Sequence, residues 1–168
     1  MKQDDTRDFD VIARDHGAMI ARIARSYESN AARAEELVQE IFLAVWQALP
    51  SFRGEAKMRS FIARIAHNRA ISHVAREVRA PRAVPLEDTM PSEAPTPEDV
   101  AAANNARAKL EAAVRRLPLN QKVVVTLALE GFAPEEVADV LGITASAASV
   151  RLHRAKAMLQ QILSGSPL

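Results

Sequence analysis

The chain has 168 residues, 48% of them hydrophobic but only 4% aromatic, with a net charge of +1 and no cysteine. This composition allows one domain or two small ones packed mainly by Ala, Leu, Val and Ile, and it excludes disulfides and cysteine-ligated zinc. The opening MKQDDTRDFD is acidic without an apolar run, and no window reaches the roughly eighteen consecutive apolar residues of a membrane span, so the chain is expected to be soluble and cytoplasmic, with no membrane insertion.

Helical periodicity runs through the chain and no alternating strand pattern stands out, so the expected fold class is all-α. A first helix from about Phe9 carries Phe9, Ile12, Met19, Ile20, Ile23 and Tyr27 on one face. A second follows Ser29-Asn30, with Leu37, Val38, Ile41, Phe42, Val45, Trp46 and Leu49 as its apolar stripe, and stops at Pro50. A third, after Gly54, runs through Met58, Phe61, Ile62, Ile65 and Val74. Three such stripes can close a small core together, and Phe52, Phe61 and Trp46 read as members of it rather than as exposed stacking platforms.

Between Pro81 and Pro97 lie five of the nine prolines, mixed with acids. Such a stretch neither forms a helix nor packs a core and reads as an extended linker; about sixteen residues at ~3.1 Å each span ~50 Å. It ends in Thr96-Pro97-Glu98-Asp99, a helix start with a capping hydroxyl, Pro at the first position and acids facing the dipole. Four helices are expected beyond it, at about 97–117, 120–130, 134–141 and 145–163. The organisation is therefore a first helical domain over residues 1–80, a linker over 81–96 and a second helical domain over 97–168.

Charge is distributed unevenly. From Ser51 to Arg82 there are eight bases against two acids, a local net of +6, and from Ala83 to Ala106 five acids and no base, a net of −5. The helix from Pro134 to Leu141 carries Glu135, Glu136 and Asp139, whereas from Thr144 to Leu163 there is no acid but Arg151, Arg154 and Lys156. Between them, Gly142 sits where a chain leaving a helix needs a left-handed residue, and Thr144 can cap the next helix. A helix, a Gly-containing turn and a basic second helix are the elements of a helix-turn-helix, whose second helix enters the DNA major groove. Arg151 and Lys156 are candidate phosphate contacts, with Lys122 at a helix start as a further one. The Thr or Ser expected before Pro134 is Ala133, which forgoes a cap worth ~1 kcal/mol.

Several motifs in order resemble the extracytoplasmic-function sigma factors, the smallest type in the bacterial sigma-70 family, over Phe9 to Leu163. Ala34-Glu35-Glu36-Leu37-Val38-Gln39-Glu40-Ile41-Phe42 resembles the family's polymerase-clamp-binding helix. Phe52-Arg53-Gly54-Glu55 and Phe61-Ile62-Ala63-Arg64-Ile65-Ala66-His67-Asn68-Arg69 resemble the segment that opens the −10 element. Leu117-Pro118-Leu119-Asn120-Gln121 and the helix ending Val150-Arg151-Leu152-His153-Arg154-Ala155-Lys156 resemble the domain that reads the −35 element.

The resemblance implies a promoter-specificity subunit of RNA polymerase, with no enzymatic activity, cofactor or metal of its own. Its implied −35 contacts are Thr144, Ser146, Ser149, Arg151, His153, Arg154, Lys156 and Lys122, with Arg154 best suited to guanine. The implied −10 set is Arg53, Lys57, Arg59, Arg64, Arg69 and Arg76 for charge, with His67 and Asn68 for hydrogen bonds to bases. Glu36, Gln39 and Glu40 are implied to meet the clamp of the polymerase's largest subunit, and an anti-sigma factor is the implied regulator. Ala147, Ala148 and Ser149 stand where the family often has Thr, Val and a basic residue, which predicts an unusual −35 preference or reliance on backbone and shape readout. His67 and Phe61 stand where Arg and Trp are common.

Two other classes fit part of the pattern: a sigma-like decoy that sequesters an anti-sigma factor, and a helix-turn-helix repressor with a sensing or dimerising first domain. A decoy has no use for the +6 block, and most such repressors bind as symmetric dimers. No glycine-rich phosphate loop or paired metal-ligand motif is present, and the four histidines are scattered.

Overall fold

The chain is helical throughout, as its periodicity predicts, among the described residues. The computed structural model describes residues 2–79 and 98–165, which form seven α-helices and no strand. These are α1 (Lys2–Tyr27), α2 (Ala31–Ala48), α3 (Met58–Arg79), α4 (Glu98–Arg115), α5 (Leu119–Leu129), α6 (Pro134–Leu141) and α7 (Ala145–Ser164), with a 3-10 turn at Leu49–Ser51. The linker expected over 81–96, and the capping of α4 by Thr96, lie outside the described residues.

Local chemistry sets the boundaries. Asn30 caps α2, its side-chain oxygen accepting the Arg33 N–H at 3.0 Å. Glu28 braces the same corner, accepting the Asn30 N–H at 2.8 Å and meeting His73 Nε2 of α3 at 2.8 Å. Pro50 ends α2 in the 3-10 turn, because proline clashes with a continuing helix. Helix α1 starts seven residues before Phe9, at Lys2; the polar leading turns carry no apolar stripe, so periodicity alone does not find them.

Helices α1, α2 and α3 pack around Ile12, Ile20, Ile23, Leu37, Ile41, Val45 and Ile62. Ala63, Ala66 and Ala70 let α3 approach closely. Helices α4 to α7 surround Val114, Val124, Leu127, Val137, Ala148 and Ala155. These two sets belong to one continuous apolar cluster. Helix α1 lies against α4 and α5, and α3 against α6, so the two halves share a seam. Burial at about 25 cal/mol per Å² holds such a seam as it holds a core.

Trp46 corrects the sequence-based assignment: it is 51% exposed. It stands nine positions after the fully buried Leu37, and at 3.6 residues per turn that is the opposite side of α2. A helix between two neighbours buries a limited arc, and the predicted stripe was too wide.

Candidate nucleic-acid and polymerase interfaces

In the second half, α6 and α7 form the helix-turn-helix. Ala133 has no side-chain acceptor, so only the reciprocal half of a capping box forms: the Glu136 carboxylate accepts the Ala133 N–H at 2.8 Å. That bond first, and then Lys57, hold the Glu136 carboxyl below its ordinary range. Gly142 closes α6 at φ +66°, a conformation that penalises any residue with a Cβ, and the Ile143 N–H reaches back to the Ala138 carbonyl at 3.0 Å. Thr144 then caps α7, its hydroxyl oxygen accepting the Ala147 N–H at 3.1 Å.

This register determines what α7 shows to solvent. Ala148, Ala155 and Ile162 face the core at two-turn intervals. Opposite them Ser146, Ser149, Val150, His153, Arg154 and Lys156 are exposed. Arg151 is half-buried, and Thr144 spends its hydroxyl on the cap. Among the described residues none of Arg151, His153, Arg154 and Lys156 has an ion-pair partner. The result is an outward, acid-free arc with the donors that suit guanine and phosphate, and with exposed Val150, suited to a thymine methyl. Val150 was missed as a site residue, although its spacing from Ser146 and His153 marks it. Lys122 is not on this face. It is buried, its ammonium 5.5 Å from the centre of the Tyr27 ring, and burial, aided by the nearby Arg115 charge, lowers its pKa.

The basic residues of the first half divide. Arg53 and Lys57 precede α3, and a cleft of about 750 Å³ separates that segment from α6, with Arg53, Lys57, Phe61 and Arg64 on one wall and Glu136 and Asp139 on the other. Lys57 meets Glu136 at 3.0 Å. Arg64 donates to the carbonyls of Asp139 at 2.6 Å and Val140 at 3.3 Å. Arg59 lies 4.0 Å over the Phe132 ring. Arg53, Asn68 and Arg69 are exposed. Arg76, on the flank toward α2, pairs with Glu40 at 2.8 Å.

His67 does not reach solvent. It is 1% exposed, with Nδ1 2.9 Å from the Tyr27 hydroxyl, and Nε2 has no partner. Burial pushes its pKa down to about 3, so the ring is neutral and belongs to the core. A signal was present in the sequence: His67 falls in line with Ala63, Ala66 and Ala70 on the buried stripe of α3.

On α2, Glu36 and Gln39 are exposed, and Glu40 is half-buried and tied to Arg76. The same outward stripe continues through Leu43, 55% exposed, and Trp46. Two large apolar side chains in water beside two polar ones suit a protein partner, because aromatic anchors dominate interfaces. The sequence reading named neither as a contact: Leu43 lies off the predicted core stripe, and Trp46 was assigned to that stripe although it stands half a turn from Leu37.

Comparison with known proteins decides the family. Residues 12–80 match the Sigma-70 region 2 family and residues 107–159 the Sigma-70, region 4 family. The chain is 30% identical over 166 residues to the RNA polymerase sigma factor CnrH of Cupriavidus metallidurans, covering 94% of this chain and 87% of that protein.

The chain belongs to the extracytoplasmic-function sigma factors of the sigma-70 family.

Another relative, the RNA polymerase sigma factor NccH of Alcaligenes xylosoxydans, is 29% identical over 174 residues, 98% of this chain and 91% of its own. The solved structure of CnrH in complex with the cytosolic domain of CnrY is similar with a TM-score of 0.70 at 26% identity, covering 96% of this chain and 91% of that one. The fold is shared too with the sigma factor RpoE of Bartonella quintana, solved with the anti-sigma factor NepR: TM-score 0.71, 20% identity, 94% of this chain and 98% of that one. As a sigma factor the chain joins core RNA polymerase and directs initiation at specific promoters, reading −35 and −10 elements and nucleating DNA opening. Sigma factors are initiation factors rather than enzymes. Among the described residues no helix is long and apolar enough to cross a membrane, and no cluster of metal-ligating side chains occurs.

Proposed function

We propose that this sigma factor divides its work between residues 1–80, which bind core polymerase and the −10 element, and residues 97–168, which read the −35 element, with residues 81–96 as the tether between them. The observation that carries the reading is the outward face of α7: six exposed side chains of the right chemistry on a helix positioned by the Gly142 turn and the Thr144 cap. Arg154 reads a base edge while Lys156 and Arg151 hold phosphates, and Ser146, Ser149, Val150 and His153 fill the rest of the contact. Across the first half, Arg53, Lys57, Arg59, Arg64 and Arg69 line the path of the separated strand, with Asn68 available to a base. Glu36, Gln39, Leu43 and Trp46 meet the clamp of the polymerase's largest subunit, and Arg76 positions Glu40 beside them.

The protein acts in the cytoplasm beside the polymerase and has no catalytic step of its own. The likeness to sigma factors solved with anti-sigma partners supports control by an anti-sigma factor that covers these faces. Without cysteine in the chain, any thiol-based redox sensing resides in such a partner.

Reconstitution tests the reading. Core polymerase, the purified chain and a genomic promoter library are expected to give transcripts that share one two-part motif upstream. Charge reversal at Glu36 with Trp46→Ala is expected to weaken core binding while DNA binding through α7 is unchanged. Unaltered core affinity in that variant overturns the assignment of the α2 face, and transcripts without a shared motif overturn that of α7.

A further inference from the structure

A groove of about 840 Å³ opens between α1 and the end of α2, and no residue of α4 to α7 lines it. Its first wall is one face of α1. Asp8, Val11, Ile12, Asp15 and His16 follow each other there at the three- and four-residue steps that put side chains in line on a helix. Trp46 and Leu49 form the second wall, and Phe52 and Met58 close the groove toward α3. Ring contacts on either side hold these walls apart in a fixed shape. Phe9 meets Phe42 edge-on at 6.0 Å and joins α1 to α2, and Phe52 packs on Phe61 at 4.9 Å. A preformed, mainly apolar hollow with a few polar groups at its rim is the ordinary form of a small-ligand site.

The charge at the rim has one sign. Asp8 and Asp15 both line the groove, and their spacing places them about 10 Å apart along the axis of α1. Among the described residues no lysine or arginine lines it. Asp8 has no ion-pair partner among the described residues, and Asp15 meets its exposed neighbour Arg14 at 3.2 Å. Such a rim repels phosphates and carboxylates and pairs with ammonium groups. Trp46 adds the side chain whose ring attracts cations most strongly. His16 and Gln47 supply further hydrogen-bonding atoms.

We propose that this groove binds a linear organic dication of the alkyl diamine class. One ammonium pairs with Asp8 and the other with Asp15, while the methylene chain lies on Val11, Ile12, Leu49 and Trp46. A ligand so placed covers Trp46 and therefore competes with core polymerase for the end of α2. That competition rests on reading the α2 face as the clamp contact; the binding itself does not.

The test uses the full chain and 1,8-diaminooctane, whose extended chain spans the two carboxylates. The analogues 1-aminooctane and 1,8-octanediol remove one or both charges at nearly constant length. The only tryptophan of the chain lines the groove, so its emission reports occupation, with calorimetry beside it at fixed ionic strength. The diamine is expected to saturate the site, and affinity to fall roughly fivefold for each ammonium removed, the upper range for an exposed ion pair. Asp8→Asn and Asp15→Asn are each expected to abolish the preference for diamine over monoamine. Both positions are exposed, and unchanged binding of the diol, which needs only the apolar wall, shows that each variant is folded. Equal affinities for the three compounds overturn the dication, and a diamine preference kept by both variants overturns its placement on α1. No saturation below roughly 1 mM overturns the site itself.

Core polymerase binding is then measured with and without saturating diamine. A loss of affinity is expected for the parent chain. None is expected for the Asp8→Asn, Asp15→Asn double variant, which separates the site from any action of the diamine on the polymerase. Unchanged core affinity of the saturated parent, with Trp46→Ala weakened, overturns the competition alone. Unchanged core affinity in Trp46→Ala as well overturns the reading of the α2 face beneath it.

Discussion

The two basic regions of this sigma factor carry the same kinds of side chain, partnered within the chain in one and unpartnered in the other. At the start of α3, Lys57, Arg59 and Arg64 are all engaged by the other half of the chain. On α7, Arg154 and Lys156 stand in solvent without a partner among the described residues. Local charge does not explain the difference. Helix α7 buries only Ala148, Ala155 and Ile162 against its neighbours and turns its polar arc outward. The start of α3 faces α6, whose acids and terminal carbonyls match it. A basic segment thus counts as a binding face only after its neighbours are known.

The largest expected effect breaks the comparison at the seam. Arg22→Ala leaves the nearly buried Glu130 carboxylate unpaired and is expected to cost about 3 kcal/mol, toward the low end for a broken buried pair because Arg22 is partly exposed. Urea unfolding measures it, and a loss below about 0.5 kcal/mol, the range of an exposed pair, means that the seam is not held there.

Next is the open side. Arg154→Ala is expected to lose about 2 kcal/mol of discrimination at matched −35 sites and little elsewhere. Lys156→Ala is expected to weaken all duplexes alike and to reduce the salt slope by about 0.9. Binding isotherms at several salt concentrations separate the two, and identical behaviour of both variants makes Arg154 a phosphate contact.

Within the first pH unit below 6.5 His67 gives a smaller effect, and the effect is spread over pH. Its folded pKa of about 3 lies below the ordinary histidine value of 6.5, so between those values the unfolded chain binds a proton that the folded chain refuses. Its contribution is complete above pH 6.5 and falls by about 1.4 kcal/mol per pH unit on acidification toward pH 3. His67→Gln, which can still accept the Tyr27 hydroxyl, is expected to flatten that part of the stability curve. Parallel curves for parent and variant refute the neutral buried ring.

The smallest change sharpens the α7 side. Thr144→Ala removes the cap and is expected to cost about 1 kcal/mol of stability. The loss in −35 binding should be larger at matched sites than elsewhere, because the cap aims the arc. Equal loss on every duplex indicates that the hydroxyl only stabilises the helix.

Much of this was legible without coordinates. The all-α class, the turn at Gly142, the cap at Thr144 and the exposed arc from Ser146 to Lys156 follow from 3.6-residue periodicity and the chemistry of helix ends, which act over a few residues. The placements of His67 and Trp46 were legible too, yet misread: His67 lies on the buried stripe of α3, and Trp46 lies half a turn from Leu37. Lys122 was misjudged for a different reason. A lysine at a helix start is ordinarily solvated, and only the Tyr27 ring of a distant helix covers it.

The sequence by itself determined the helices, their caps, the order of the family's motifs and which arc of α7 faces solvent, because each depends on neighbours within one or two turns. Only the tertiary structure decided that Arg22 meets Glu130 across more than a hundred residues, that Arg64 finds the end of α6, and that one apolar cluster runs through both halves. Those pairings depend on which surfaces the packed helices bring together, and no local pattern encodes which distant carboxylate or carbonyl a given arginine will reach.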